Sequence, residues 1–130
     1  MNLKLPVIVG TALLLAAALF PTAGAAPGSV VSRGRCIGYP PEISFGGTIG
    51  AQRDQEVFSW RTMCTSAVYA SVTGALQISI QEQVSGGWRL RAAGAYAHVP
   101  DLGPGTYRLV VTNRYTQSTT YTVRHRRGMG

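Results

Sequence analysis

Reactive side chains are scarce in this sequence. Histidine occurs only at 98 and 125, cysteine only at 36 and 64, and the acids are Glu42, Asp54, Glu56, Glu82 and Asp101. A serine or cysteine nucleophile needs a histidine within reach and an acid to orient it. The Gly-x-Ser-x-Gly turn that presents many nucleophilic serines does not occur. His98 alternates with Tyr96 in an extended pattern and reads as a sheet-surface or satisfied core residue, while His125 sits in an arginine run and reads as solvated. Asp54 and Glu56, at i and i+2, share a strand face. Close carboxylate pairs hydrolyse glycosides, and acid pairs also begin weak cation sites. Hard cations take six or more oxygens, so these two read as a solvated strand start and no metal is expected. Two thiols cannot make a structural zinc site. Cys36 and Cys64 are expected to form one disulfide. The inventory points away from an enzyme and requires no cofactor.

Binding chemistry is better represented. The chain carries twelve basic against five acidic residues, a net charge of +7. Arg89 and Arg91 alternate onto one face of a strand, as do Arg124 and Arg126, with Arg127 next to them. If both strands belong to one sheet, their guanidinium groups share a surface. Guanidinium groups suit bidentate contact with carboxylate, sulfate or phosphate. Tyr39, Tyr69, Tyr96 and Tyr115 offer aromatic faces for sugar or protein contacts. The expected partner is therefore an anionic polysaccharide or cell surface. A secreted protein is the second choice, with Tyr39-Pro40-Pro41 as the most rigid contact segment. Nucleic acid is disfavoured, since no recognised motif accompanies the charge.

These residues need elements to position them. Lys4 precedes an uncharged apolar run from Leu5 to Phe20, then Pro21 and the small residues Ala23-Gly24-Ala25-Ala26. That is the layout of a helical, cleavable secretory signal peptide over residues 1–25, with a second cleavage choice one residue later. A spanning helix needs about 20 apolar residues, so no membrane span is expected after cleavage, and the product is expected to be secreted, extracellular or periplasmic. Lys4 leaves with the leader, and the mature balance is then +6. What remains suits one domain, expected to be a monomer.

Past residue 26 the pattern has a period of two. Leu76, Ile78 and Ile80 alternate with Gln77, Ser79 and Gln81, and similar runs surround Trp60, Val68, Trp88, Leu109 and Tyr121. Gly46-Gly47, Gly74, Gly86-Gly87, Asp101 to Gly105 and Asn113 to Ser118 read as turns. Seven or eight short strands at this spacing make an all-β sandwich. The expected core is Phe58, Trp60, Val68, Val72, Leu76, Ile78, Ile80, Leu90, Leu109, Val111 and Val123. Residues 26–42 read as an N-terminal extension carrying Cys36, 43–124 as the sandwich, and 125–130 as a frayed basic tail.

Four segments carry a resemblance. Gly47-Thr48-Ile49-Gly50 followed by Asp54-Gln55-Glu56-Val57-Phe58-Ser59-Trp60, then Leu76 to Ile80, then Leu102-Gly103-Pro104-Gly105-Thr106-Tyr107-Arg108-Leu109-Val110-Val111, then Tyr121-Thr122-Val123, resemble in order and spacing the bacterial pre-peptidase C-terminal domain over residues 43–124. The resemblance implies a jelly-roll-like sandwich, non-catalytic, associated with secretion and with binding insoluble or surface polymers. The acids Asp54 and Glu56 lack the companions that a calcium site of that family would use. Pro-Gly-Thr-Tyr also occurs in fibronectin-like sandwiches, where the tyrosine hydroxyl bonds back to the backbone at a sheet corner, so an immunoglobulin-like sandwich is the alternative fold.

Overall fold

The computed structural model describes residues 34–130. The expected signal peptide at 1–25 and the start of the extension at 26–42 lie outside the described residues. Eight strands follow in chain order: β1 (Ile43–Ile49), β2 (Arg53–Thr62), β3 (Ser66–Val72), β4 (Gln77–Val84), β5 (Gly87–Gly94), β6 (Tyr96–Leu102), β7 (Gly105–Asn113) and β8 (Thr119–Arg126). They form two four-stranded sheets ordered β1-β8-β3-β6 and β2-β7-β4-β5, and every pairing is antiparallel. This is the two-sheet, double Greek-key order of a jelly roll, which decides between the two sandwiches that the sequence leaves open. Among the described residues no helix is long and apolar enough to cross a membrane.

Alternation fills the space between the sheets. Trp60, Val68, Val72, Leu76, Ile78, Ile80, Leu109, Val111 and Val123 are buried as expected, joined by Ile49, Val99, Leu102, Tyr107 and Tyr121, and Phe58 packs against them half-buried. Leu90 departs from the expectation and is 60% exposed. Ile80 pairs with Ala92 but Gln81 pairs with Leu90, so Arg91 is an extra residue on β5. Such a bulge reverses the phase of alternation. Leu90 follows Gln81 outward and Ala92 takes the inward place.

Two turn assignments fare differently. Gly86 makes the β4–β5 hairpin at a positive φ of 85°, a conformation that glycine adopts without steric cost. Gly46-Gly47 is not a turn but lies within β1. A Cβ on Gly47 would fall 2.7 Å from the Tyr121 hydroxyl oxygen of the neighbouring strand, so close approach is what selects glycine there.

The end of the chain is a further correction. His125 and Arg126 belong to β8, and Gly128 is buried against the disulfide, its N–H donating to Ser66 Oγ at 2.9 Å. Met129 and Gly38 exchange two backbone hydrogen bonds of 2.7 and 2.8 Å. Residues 125–130 thus extend the fold and do not fray from it. Cys36 and Cys64 are joined, 28 residues apart. Thr65 bonds to Gly34 and Cys36 on the strap that precedes β1.

His125, expected in solvent, is fully buried. Its ring lies 4.8 Å from that of Trp60 and 5.2 Å from that of Phe58. Nδ1 lies 2.9 Å from the Tyr69 carbonyl oxygen. A carbonyl only accepts, so Nδ1 carries the proton. Nε2 is buried without a hydrogen-bond partner. Burial holds this imidazole down at about 4, opposed by the bond to the Tyr69 carbonyl and assisted by the Arg127 charge.

Candidate functional site

The outer face of β1-β8-β3-β6 gathers most of the chemistry that can meet a partner. Tyr69 on β3 pairs with His98 on β6 and Arg126 on β8, and Ser71 pairs with Tyr96 and Arg124. Directly paired residues of antiparallel strands share a face, so five long polar or aromatic side chains stand together. Tyr69 and Tyr96 stack at 5.6 Å, and Tyr96 stacks on His98 at 6.2 Å. Tyr96 is 58% exposed. The strap adds Tyr39, whose ring lies 3.9 Å beneath the Arg126 guanidinium. Arg126 donates from Nε to the Pro40 carbonyl at 2.8 Å and from Nη2 to the Tyr39 carbonyl at 3.1 Å.

One acid serves this face. The Tyr69 hydroxyl donates to Glu42 Oε2 at 2.6 Å, and that bond raises the phenol above its ordinary value. Arg124 Nε stands 3.9 Å from the other carboxylate oxygen of Glu42. The charge of Arg126 has only neutral carbonyls against it, so the face keeps a positive excess. His98 makes no hydrogen bond to any hydroxyl or carboxylate among the described residues.

The other arginines singled out in the sequence lie elsewhere. Arg89 and Arg91 belong to β5 of the opposite sheet, so the single guanidinium surface does not form. Both donate to Glu82 Oε1, at 2.6 and 2.9 Å. Burial alone would raise Glu82, but the bonds and charges of Arg89 and Arg91 outweigh it and hold the carboxyl below its ordinary value. Arg127 packs its guanidinium over Phe58 and Trp60, at 5.0 and 5.8 Å from the ring centres. Asp54 accepts from the Thr112 hydroxyl and Glu56 from Arg108. No group of three or more His, Cys, Asp or Glu that could hold a metal ion occurs among the described residues.

The Tyr107 hydroxyl donates to the Gly103 carbonyl at 2.7 Å, closing the corner into β7 as the Pro-Gly-Thr-Tyr segment implies. The jelly-roll carrier and its aromatic, basic sheet face define a β-sandwich whose chemistry is concentrated on one side. No family model and no curated protein matches the sequence. Among solved structures, a mitogen derived from Yersinia pseudotuberculosis, YPM, matches over 70% of this chain and 87% of its own, at 11% identity and a TM-score of 0.55. PirA matches over 63% of this chain and 92% of its own, at 21% identity and a TM-score of 0.49. The likeness to the mitogen is one of fold alone.

Proposed function

We propose that this is a secreted, non-catalytic binding module that contacts an anionic extracellular polymer or cell surface through the tyrosine-lined face of β1-β8-β3-β6. The observation that carries this reading is the row of Tyr39, Tyr69, Tyr96 and His98 rings with Arg124 and Arg126 set among them. Aromatic faces stack on sugar rings, and guanidinium groups meet their carboxylates or sulfates. The leader, the disulfide and the ordered motifs resembling pre-peptidase C-terminal domains support export and an accessory role. The test is retention of the processed protein on acidic and neutral polysaccharide columns at low and high salt. Retention on the acidic column that weakens as salt rises is expected. Equal passage through both columns at every salt concentration would defeat the reading.

A second reading is favoured by one observation. Ile37 is 92% exposed, although its neighbours are pinned by the disulfide on one side and by the Gly38–Met129 bonds on the other. A rigid, projecting apolar side chain is what a protein-binding module or an inhibitor of a secreted enzyme presents. Inhibition of secreted hydrolases that disappears in Ile37→Asp, with polysaccharide retention unchanged, would favour it over the first reading.

A further inference from the structure

The five side-chain carboxylates are all accounted for, and the terminal carboxylate of Gly130 makes no ion pair among the described residues. Asp101 meets Arg35, Glu82 meets Arg89 and Arg91, Glu56 meets Arg108, Glu42 meets Arg124, and Asp54 holds Thr112. Arg61 and Arg127 have no carboxylate within 4.0 Å, and they line the same cleft of about 330 Å³ at the disulfide end of the sandwich. They arrive from opposite sheets, Arg61 from β2 and Arg127 from just beyond β8. Thr62, Met63, Cys64 and residues 128–130 complete the lining, so the terminal carboxylate of Gly130 also lies at the cleft.

The two arginines are not equivalent. Arg61 is exposed, where an unpaired charge is solvated at little cost. Arg127 is half-buried against two aromatic rings, and burial lowers its guanidinium from the ordinary value. A guanidinium withdrawn from water is normally matched by an anion. Its backbone is also fixed: a Cβ on the next residue, Gly128, would lie 2.5 Å from Ser66 Cβ and 2.8 Å from Cys36 Cβ. The residue that follows Arg127 is thus packed tightly against the disulfide and β3.

From this charge accounting we infer that the cleft between Arg61 and Arg127 binds an oxyanion, the sulfate, phosphate or carboxylate group of a ligand. The site is separate from the tyrosine face and does not depend on what that face binds. Arg127 supplies a preorganised, partly desolvated contact, and Arg61 closes over the anion from the opposite sheet.

The experiment titrates the isotope-labelled protein with sodium sulfate, sodium phosphate and sodium acetate at constant ionic strength. It follows the Cys64, Gly128 and Gly130 amides and the two indole N–H signals. At least one anion is expected to move the cleft amides and the Trp60 indole in a saturable way, while the Trp88 indole and the Tyr96 and His98 amides stay in place. The anion that binds most tightly identifies the group recognised. Arg61→Gln, at an exposed position that preserves the fold, is expected to weaken the binding about tenfold, as loss of one charge-assisted contact does. Arg127→Gln is expected to abolish it, and Arg127→Lys, which keeps the charge and most of the stem, serves where the glutamine variant does not fold. Absence of saturable shifts with all three anions overturns the inference, as does unchanged affinity in both Arg61→Gln and the Arg127 variant that folds, Arg127→Lys being expected to bind several-fold more weakly because it lacks the bidentate fork. Retention on acidic polysaccharide that survives in a cleft-null protein leaves the tyrosine face standing and separates the two readings.

Discussion

The two outer faces of the sandwich carry similar residues put to opposite uses. On β2-β7-β4-β5, Arg108 donates to Gln81 at 2.8 Å and to Glu56 at 3.4 Å, and lies 4.1 Å over the Trp88 ring. Its charge is answered within the sheet. On β1-β8-β3-β6, Arg126 makes two hydrogen bonds, but to carbonyl oxygens of the strap, and it also lies over an aromatic ring. A carbonyl satisfies the donors of a guanidinium without cancelling its charge. The positions of the few acids, more than those of the arginines, thus decide where positive potential remains. The strap makes the first face what it is, since it brings Tyr39, the two carbonyls and Glu42.

Breaking the strap should therefore have the largest effect and should be felt on one face only. The disulfide closes a loop spanning 28 residues of sequence separation, worth about 3.5 kcal/mol on the chain-entropy model. Cys36→Ser with Cys64→Ser is expected to lose about that much in urea unfolding. Tyr69 and Tyr96 signals should broaden or move while the Trp88 indole is unaffected. Equal perturbation of both faces would show that the strap does not distinguish them.

The next effect lies beneath the first face. His125 projects inward from β8 with its folded value near 4, against 6.5 for the ordinary group. The unfolded chain therefore takes up the proton first as pH falls. Stability is fully present above about 6.5 and declines between 6.5 and 4, by about 3 kcal/mol in all. Below 4 this contribution is flat. His125→Phe, whose ring fits among Phe58 and Trp60, is expected to remove that decline while keeping whatever the carboxylates contribute. Urea midpoints at pH 7.5 and 4.5 measure it. The same pH dependence in both proteins would exclude His125 as its source.

Part of this contrast can be read along the chain and part cannot. The alternation of Leu76, Ile78 and Ile80 needs only local sequence, and the structure buries all three. The same period carried from Tyr121 and Val123 points His125 inward, a signal outweighed by the arginines on either side of it. Local alternation places Leu90 in the core and is wrong there, because the bulge at Arg91 is set by the register against β4 and not by β5 itself. The grouping of Arg124 and Arg126 is local. Their separation from Arg89 and Arg91 depends on which strands share a sheet, a long-range choice. The tyrosine row is also long-range, built by β3 pairing with β6 and by a strap arriving from before β1.

Function gives a smaller expected change. Tyr96→Ala and Arg124→Ala each remove a solvent-facing group from the proposed binding face, Arg124 standing 3.9 Å from Glu42 without a hydrogen bond to it, and are expected to weaken retention on acidic polysaccharide about tenfold, the scale of one charge-assisted or stacking contact. Arg89→Ala, on the opposite sheet and already paired with Glu82, is expected to change it less than twofold. If Arg89→Ala proved as damaging as Arg124→Ala, binding would follow net charge alone and the asymmetry between the faces would have no functional meaning.

The smallest effect tests the other half of the comparison. Arg108 stands over Trp88 and between Gln81 and Glu56, so Arg108→Ala removes a cation–π contact and an exposed ion pair. Each is worth about 0.5–1 kcal/mol or less at a partly exposed site. The loss should therefore fall near 1 kcal/mol, with a change in Trp88 fluorescence as its ring meets water. Polysaccharide retention should not fall, because the arginine removed was answered by Glu56 and left no free charge to offer. Removing Glu56 instead, as Glu56→Gln, frees the Arg108 charge and should raise retention modestly at low salt. If Glu56→Gln leaves retention unchanged while Arg108→Ala lowers it, Arg108 is reaching the polymer past its own carboxylate, and internal compensation is not what separates the two faces.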